Sequence, residues 1–233
     1  MTDQERGGKP QSFEPLRQAR AIGYTQEQLE SVPTNAIMGF GCANPVIYAE
    51  LRPGETVLDL GCGGGLDLLL AAREVGPEGQ VIGVDFDEAM VELARANAHA
   101  AKLGNVRVEA AEMEHLPLAS ACVDVVISNC AISYSDDIEA VFRQVHRVLR
   151  RGGRMVVADL VLDEPLGAEE LRLAPEAWRE WLDAAADTSH YLRAIERAGL
   201  RQIELLEERL FNLAEATELL RGRVTSLVVR ALR

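Results

Sequence analysis

Long apolar runs are missing from this sequence. Across 233 residues no stretch approaches the roughly 20 apolar residues that a membrane-spanning helix needs. The opening, MTDQERGGKPQSFEPLRQAR, has no apolar core behind its charges, so it does not read as a secretory signal. Positive charge is scarce as well. Lys and Arg total 24 against 37 Asp and Glu, a formal net charge of −13. Such a balance argues against a nucleic-acid surface and for a self-repelling, soluble particle with no membrane partner. Cysteines are few: Cys42, Cys62, Cys122 and Cys130. None forms a Cys-x-x-Cys pair, and no histidine stands at zinc-ligand spacing from them. Reduced thiols in a cytoplasm are therefore expected. No internal repeat and no low-complexity segment is present.

What is there is ordinary in composition and regular in pattern. Hydrophobic residues make up 48% and charged residues 26%, and the length suits one large domain with a sizeable core. Residues 1–20 are polar. TQEQLESV (25–32) reads as a short helix capped by Thr25, and NPVIYAEL as another, with Asn44 as cap and Pro45 in its first turn. From residue 55 strands and helices alternate: ETVLDL, then GLDLLLAAREV; QVIGVD (80–85), then DEAMVELARANAHAAKL; NVRVEA; VDVVIS (123–128), then DDIEAVFRQVHRVLR (136–150); and GRMVVADL (153–160). In the helix over 136–150, Ile138, Val141, Phe142, Val145, Val148 and Leu149 recur at helical spacing. Alternation of this kind predicts an α/β fold, a mostly parallel sheet with helices on both faces, whose buried strands are near-continuously apolar. After residue 160 the pattern changes. A charged segment holds both tryptophans, Trp178 and Trp181, and a helix (SHYLRAIERAG) and two strands (RQIELLEERL, RVTSLVVRAL) follow.

The first chemistry lies in LDLGCGGGLD, residues 58–67, between the first strand and its helix. Gly61 and Gly63 allow a tight turn and a close backbone approach to a ligand, and the helix aims its N-terminus there. A dinucleotide fingerprint would place glycine at 66, where Leu66 stands, and a phosphate loop would require Gly-Lys-Ser/Thr, which is absent. Asp59, just before the glycines, suits a cationic group better than a pyrophosphate. Asp85 closes the second strand, where an acid can accept both hydroxyls of a ribose.

VLDLGCGGG, VIGVD, LPLASACVDVVIS and VFRQVHRVLRRGGRMVVAD together resemble the ordered motifs of the class I S-adenosylmethionine-dependent methyltransferases. The resemblance covers roughly residues 55–160. It implies a Rossmann-like, seven-stranded, mostly parallel sheet with helices on both faces, its last strand, RVTSLVVRAL, antiparallel beside the fifth. It also implies S-adenosyl-L-methionine as cofactor and S-adenosyl-L-homocysteine as product. On this likeness Asp59, Gly61 and Gly63 meet the methionine part, Asp85 the ribose, and Phe86 flanks the adenine. Glu112 accepts from the adenine amino group with Met113 beside it, and Asn129 lines the sulfonium side.

A narrower resemblance, to the arsenite methyltransferases, rests on GYTQEQLESVP, GFGCANP, VVISNCAIS and GRVTSLVVRAL. In that family the cysteines of the two corresponding motifs bind trivalent arsenic; here they are Cys42 and Cys130. Physical reasoning supports both places. Cys130 follows the carboxyl end of a parallel strand, Cys42 lies ahead of a helix start that would favour thiolate, and trivalent arsenic is soft and prefers sulfur. Cys62 and Cys122 read as packing. A third arsenic cysteine, three residues after a tryptophan, is common in the family, but Trp181 occupies that place here. The likeness further implies cellular thiols as co-substrate, a role in arsenic detoxification, and two units: an N-terminal cap or lid (1–50) contributing to the substrate site, and a methyltransferase domain (51–233). No histidine stands at a motif end, which tilts the reading away from base-assisted transfer to oxygen. Two alternatives stay open, a small organic acceptor and a cofactor-binding regulator without catalysis.

Overall fold

The computed structural model describes residues 14–164, 166–173, 182, 186–211 and 222–233. Trp178 and Trp181 lie outside the described residues. The described residues begin with three short α-helices, α1 (Pro15–Ala21), α2 (Gln26–Glu30) and α3 (Pro45–Tyr48). Thr25 caps α2 in a full capping box with Gln28. Alternation follows: β1 (Thr56–Leu60), α4 (Leu66–Val75), β2 (Gln80–Asp85), α5 (Glu88–Ala100), β3 (Val106–Ala110), β4 (Val123–Asn129), α6 (Ile138–Val148) and β5 (Leu149–Leu162). Then come α7 (Ala168–Leu173), α8 (Thr188–Arg197), β6 (Arg201–Leu210) and β7 (Val224–Leu232).

The seven strands form one sheet in the order β3-β2-β1-β4-β5-β7-β6. β1 to β5 are parallel, and β7 inserts antiparallel between β5 and β6. Strand order reverses at β1, whose neighbours are β2 and β4; in open α/β sheets ligands bind outside the carboxyl ends of the strands at such a point. β5 is longer than its apolar run suggests. It starts at Leu149, paired with Val123, and continues past a register shift to Leu162.

Side chains alternate across the sheet. Leu58, Leu60, Val126 and Met155 face a core layer completed by Val141, Phe142 and Val145 of α6 and Tyr191 and Ile195 of α8. Phe142 and Tyr191 meet edge to face, centroids 5.3 Å apart. Val57, Val125, Ile127 and Val156 face the other layer, made by α4, α5 and the N-terminal segment. Ile22, Tyr24, Leu29, Ile37 and Val46 are buried in that same layer, so residues 14–50 share the core of the sheet. Arg154 of β5 secures the end of this segment by donating to the Ala49 and Glu50 carbonyls while paired with Glu55.

Candidate functional site

The turn after β1 is built around three glycines with positive φ: Gly61 (68°), Gly63 (49°) and Gly65 (92°). Gly61 is required twice over, because a Cβ there would also lie 2.2 Å from the Ala131 Cβ. The Gly61 and Cys62 N–H groups donate to the Val84 carbonyl, and Gly63 N–H donates to Asp85 Oδ2 at 2.8 Å. Asp85 Oδ1 accepts the Asp87 N–H. The acid that ends β2 thus braces the turn after β1, and each of its oxygens keeps a lone pair for a ligand.

Asp59 is 2% exposed, and its Oδ2 has no hydrogen-bond partner among the described residues. Burial, and then the charges of Asp67 and Asp85, push its carboxyl well above the usual range. Asp67, on the first turn of α4, is buried and raised to about 6 by desolvation, although it accepts from Tyr24 Oη (2.6 Å) and Asn129 Nδ2 (3.0 Å). Two buried acids, one with an oxygen that has no partner among the described residues, beside a glycine turn that admits backbone contact make a cradle suited to a cation. An amino-acid ammonium or a sulfonium fits it; a phosphate does not.

Asn129 ends β4 and joins this cradle to the thiols. Its Nδ2 donates to Tyr24 Oη, the Ala43 carbonyl and Asp67, while Oδ1 accepts the Cys42 N–H at 3.0 Å. Gly41 is the close approach that permits this, since a Cβ there would lie 2.6 Å from Asn129 Nδ2. Cys42 is fully buried. Cys130 follows Asn129 with φ of 54°, unusual for a side chain of its kind, and donates its N–H to the Ala158 carbonyl. Burial raises the Cys130 thiol well above its ordinary value, and the neighbouring Cys42 side chain raises it further; the Cys42 thiol itself donates to Asn129 Oδ1 at 3.7 Å. The two thiols are one pair.

The other expected positions divide. Phe86 is 76% exposed and Glu112 is exposed, with Met113 half-buried beside it. All three follow the carboxyl ends of β2 and β3, the rim on the cradle side. Cys62 is buried with its thiol pushed upward, first by desolvation and then by Asp59 and Asp85, as a packing residue would be. Two local expectations are corrected. Asn44 occupies the cap position of α3, but its side chain makes no cap bond; it donates to the Gly23 carbonyl and Gln28 Oε1 instead. α3 is also only four residues long, and the Cys42 N–H is taken by Asn129, so a helix terminus gives no account of thiolate at Cys42. Sequence reasoning missed Tyr24 and Asp67. Asp67 lies inside the quoted glycine motif, and its spacing was the available signal; Tyr24 lies inside GYTQEQLESVP, where the resemblance was the signal and no physical pattern gave it a role. A separate cleft of about 550 Å³, lined by Arg73, Gly76, Gln80, Lys102 and Asn105 among others, lies at the amino ends of β2 and β3 and holds none of this chemistry.

Residues 51–199 match a protein family described as a methyltransferase domain. The chain belongs to this methyltransferase family. The topology is that of the class I S-adenosylmethionine-dependent methyltransferases, and S-adenosyl-L-methionine, with its ammonium and sulfonium, is the cofactor the cradle fits. An arsenite methyltransferase from Halobacterium salinarum is 39% identical over 184 residues, covering 79% of this chain and 47% of the relative. A second, from Aquipseudomonas alcaligenes, is 31% identical over 76% of this chain and 52% of its own length. The methyltransferase chain thus spans about half the length of these curated relatives. Among solved structures, an arsenic(III) S-adenosylmethionine methyltransferase from Chlamydomonas reinhardtii is similar with a TM-score of 0.73 at 31% identity, over 93% of this chain and 73% of the other.

Proposed function

We propose that this methyltransferase transfers a methyl group from S-adenosyl-L-methionine to trivalent arsenic held by Cys42 and Cys130. The observation that carries the proposal is the placing of Cys42, whose N–H and thiol both donate to Asn129 Oδ1, beside Cys130, the residue after Asn129, next to an acidic, cation-seeking cradle. The names of the relatives and the Chlamydomonas structure support it.

When bound, the cofactor supplies a methyl group on a sulfonium, so that the leaving group departs neutral. Asp59 and the backbone of Gly61 and Gly63 hold its methionine part, and Asp85 holds the ribose. Phe86 and Met113 flank the adenine, Glu112 accepts from its amino group, and Asn129 lines the sulfonium side. Each protein thiol takes up the acceptor by exchange: a sulfur–arsenic bond forms, an arsenic–oxygen bond breaks, and the thiol proton leaves with the hydroxyl as water. The raised Cys130 thiol pKa is compatible with this step, because no free thiolate and no separate base is required. The two sulfurs would hold the arsenic with its lone pair open toward the methyl donor, and the packed N-terminal segment would exclude water. Residues 1–50 serve as the cap and 51–233 as the methyltransferase domain. Cellular thiols fill arsenic positions that the protein does not.

We further propose a cytoplasmic setting; among the described residues no helix is long and apolar enough to cross a membrane. Arsenite has three exchangeable positions and methylarsenite two, so a site with two protein thiols favours methylarsenite. The test is initial methylation rate on each acceptor with thiols present. Faster turnover of methylarsenite supports the reading. Inactivity on both with intact cofactor binding overturns it in favour of an organic acceptor, and absence of turnover on any acceptor points to a regulator.

A further inference from the structure

We propose that Arg209 and Ser226 are positioning residues that clamp the Cys42 carbonyl and hold its thiol against Cys130, an inference whose chemistry rests on the arsenical reading. The two are direct cross-strand partners on β6 and β7, so their side chains project from the same place on the sheet. Both reach one oxygen. Ser226 Oγ donates to the Cys42 carbonyl at 3.0 Å, and Arg209 Nη2 donates to it at 3.1 Å. With the Cys42 N–H given to Asn129 at 3.0 Å, both polar groups of the Cys42 backbone are committed, and the acceptor side uses both lone pairs.

This arrangement exceeds what burial of a carbonyl demands. Ser226, 2% exposed, alone would satisfy the oxygen. Arg209 adds a second bond from the edge strand, and its Nη1 also donates to the Ala21 carbonyl at 3.4 Å. One guanidinium therefore ties the end of α1 and the Cys42 turn to the same strand. Glu207, 3.6 Å from Arg209 Nε, steadies the guanidinium and accepts from Tyr48. A planar group with several donors in fixed directions suits a post shared by two loops. The functional consequence follows from chelation. Two thiols capture one atom efficiently when their spacing is set beforehand, and a turn free to move loses that advantage to entropy at every encounter.

The experiment uses the full chain and Arg209→Met, Arg209→Lys and Ser226→Ala. Iodoacetamide labelling with peptide mapping reads the accessibility of Cys42, with Cys62 as an internal control for general loosening. Phenylarsine oxide binding reads the thiol pair, and calorimetry reads cofactor affinity. Arg209→Met is expected to speed Cys42 labelling and weaken phenylarsine oxide binding by about tenfold each, the scale of an outer partner to a ligating residue. Cys62 labelling stays at the wild-type rate and cofactor affinity within about twofold, since these sites do not share the broken bonds. Arg209→Lys, which keeps a cationic donor but not a fork that reaches both loops, recovers part of both losses, and Ser226→Ala shifts both in the same direction as Arg209→Met. Unchanged Cys42 labelling in Arg209→Met, or a parallel rise at Cys62, overturns the clamp. If the labelling behaves as expected but wild-type protein does not protect Cys42 and Cys130 with phenylarsine oxide, the clamp stands and the arsenical reading falls.

Discussion

The turn after β1 and the turn that carries Cys42 both bring polar groups to the carboxyl ends of parallel strands, and they are held in opposite ways. The first is local. Asp59, Gly61, Gly63 and Asp85 come from two adjacent strands, and one side chain, Asp85, braces the backbone of the next loop. The second is assembled at long range. Cys42 takes its contacts from Asn129 on β4, Ser226 on β7 and Arg209 on β6. On the proposed reading the cofactor is met by a compact motif, whereas the thiol pair depends on residues from β4, β6 and β7. The comparison predicts that damage on the two sides separates.

The largest expected effect is on the thiol side. Cys130→Ser removes one half of the chelate and lowers methylation of an arsenical at least about 100-fold, the cost of a misplaced acceptor. Cofactor affinity stays within a few-fold, and Cys62→Ser and Cys122→Ser keep most of the activity. Rates and calorimetry on the same preparations check this. An active Cys130→Ser beside a dead Cys62→Ser would reverse the assignment.

The cofactor side gives the next effect. Asp85→Ala deletes the proposed ribose acceptor and the brace on Gly63, and is expected to weaken S-adenosyl-L-methionine binding by about 1.5–3 kcal/mol. Phenylarsine oxide binding at the thiols should not follow. Proportional loss of both would mean that the two turns form one unit and that the contrast drawn between them is wrong.

How far each side could be read beforehand follows from the same contrast. The glycine turn, Asp59 and Asp85 stand in contiguous stretches whose residue types state their chemistry, and the alternation from residue 55 onward is a period that needs no partner to be recognised. The insertion of β7 between β5 and β6 came from resemblance alone, because apolar periodicity says nothing of strand order. Asn44 shows the limit for a single residue: a capping residue before proline is a sound local inference, but its Nδ2 is drawn to Gln28 and the Gly23 carbonyl, and the Oδ1 that would cap has no partner among the described residues. Tyr24, Arg209 and Ser226 carried no local signal, since their partners are 43, 167 and 184 residues away.

A smaller effect tests the opposite layer. Asp159 on β5 is buried, accepts from Ser133 Oγ and Tyr191 Oη, and is raised from 3.8 to about 6 by desolvation. A folded pKa above the unfolded one means that the stabilising contribution is complete below about pH 4 and is lost as pH rises through 6. Between pH 5 and 7.5 Asp159 accounts for a loss of about 1.5 kcal/mol, roughly 3–6 °C in Tm for a chain of this length. Asp159→Asn should flatten the fall in Tm over that window, and a slope equal to wild type would show that Asp159 is ionised at both ends of it.

The smallest effect sharpens the comparison most, because it acts on a link between the two sides. Tyr24 Oη donates to Asp67 and accepts from Asn129, which in turn holds Cys42. Tyr24→Phe removes both bonds at a cost of about 1 kcal/mol in stability. It also removes a donor that lowers the Asp67 pKa, so Asp67 stays protonated to higher pH than its present value of about 6. A cationic cofactor is favoured by the ionised form of Asp67, and its affinity therefore rises as pH passes that pKa. In Tyr24→Phe the rise should move to higher pH, and phenylarsine oxide binding should weaken a few-fold as Asn129 loosens. Calorimetry from pH 5.5 to 8 measures the first and thiol protection the second. Movement of both marks Tyr24 as the coupling between cradle and chelate. Movement of the cofactor profile alone would confine Tyr24 to the acidic cradle and leave Asn129 positioned by the Ala43 carbonyl and Asp67 without it.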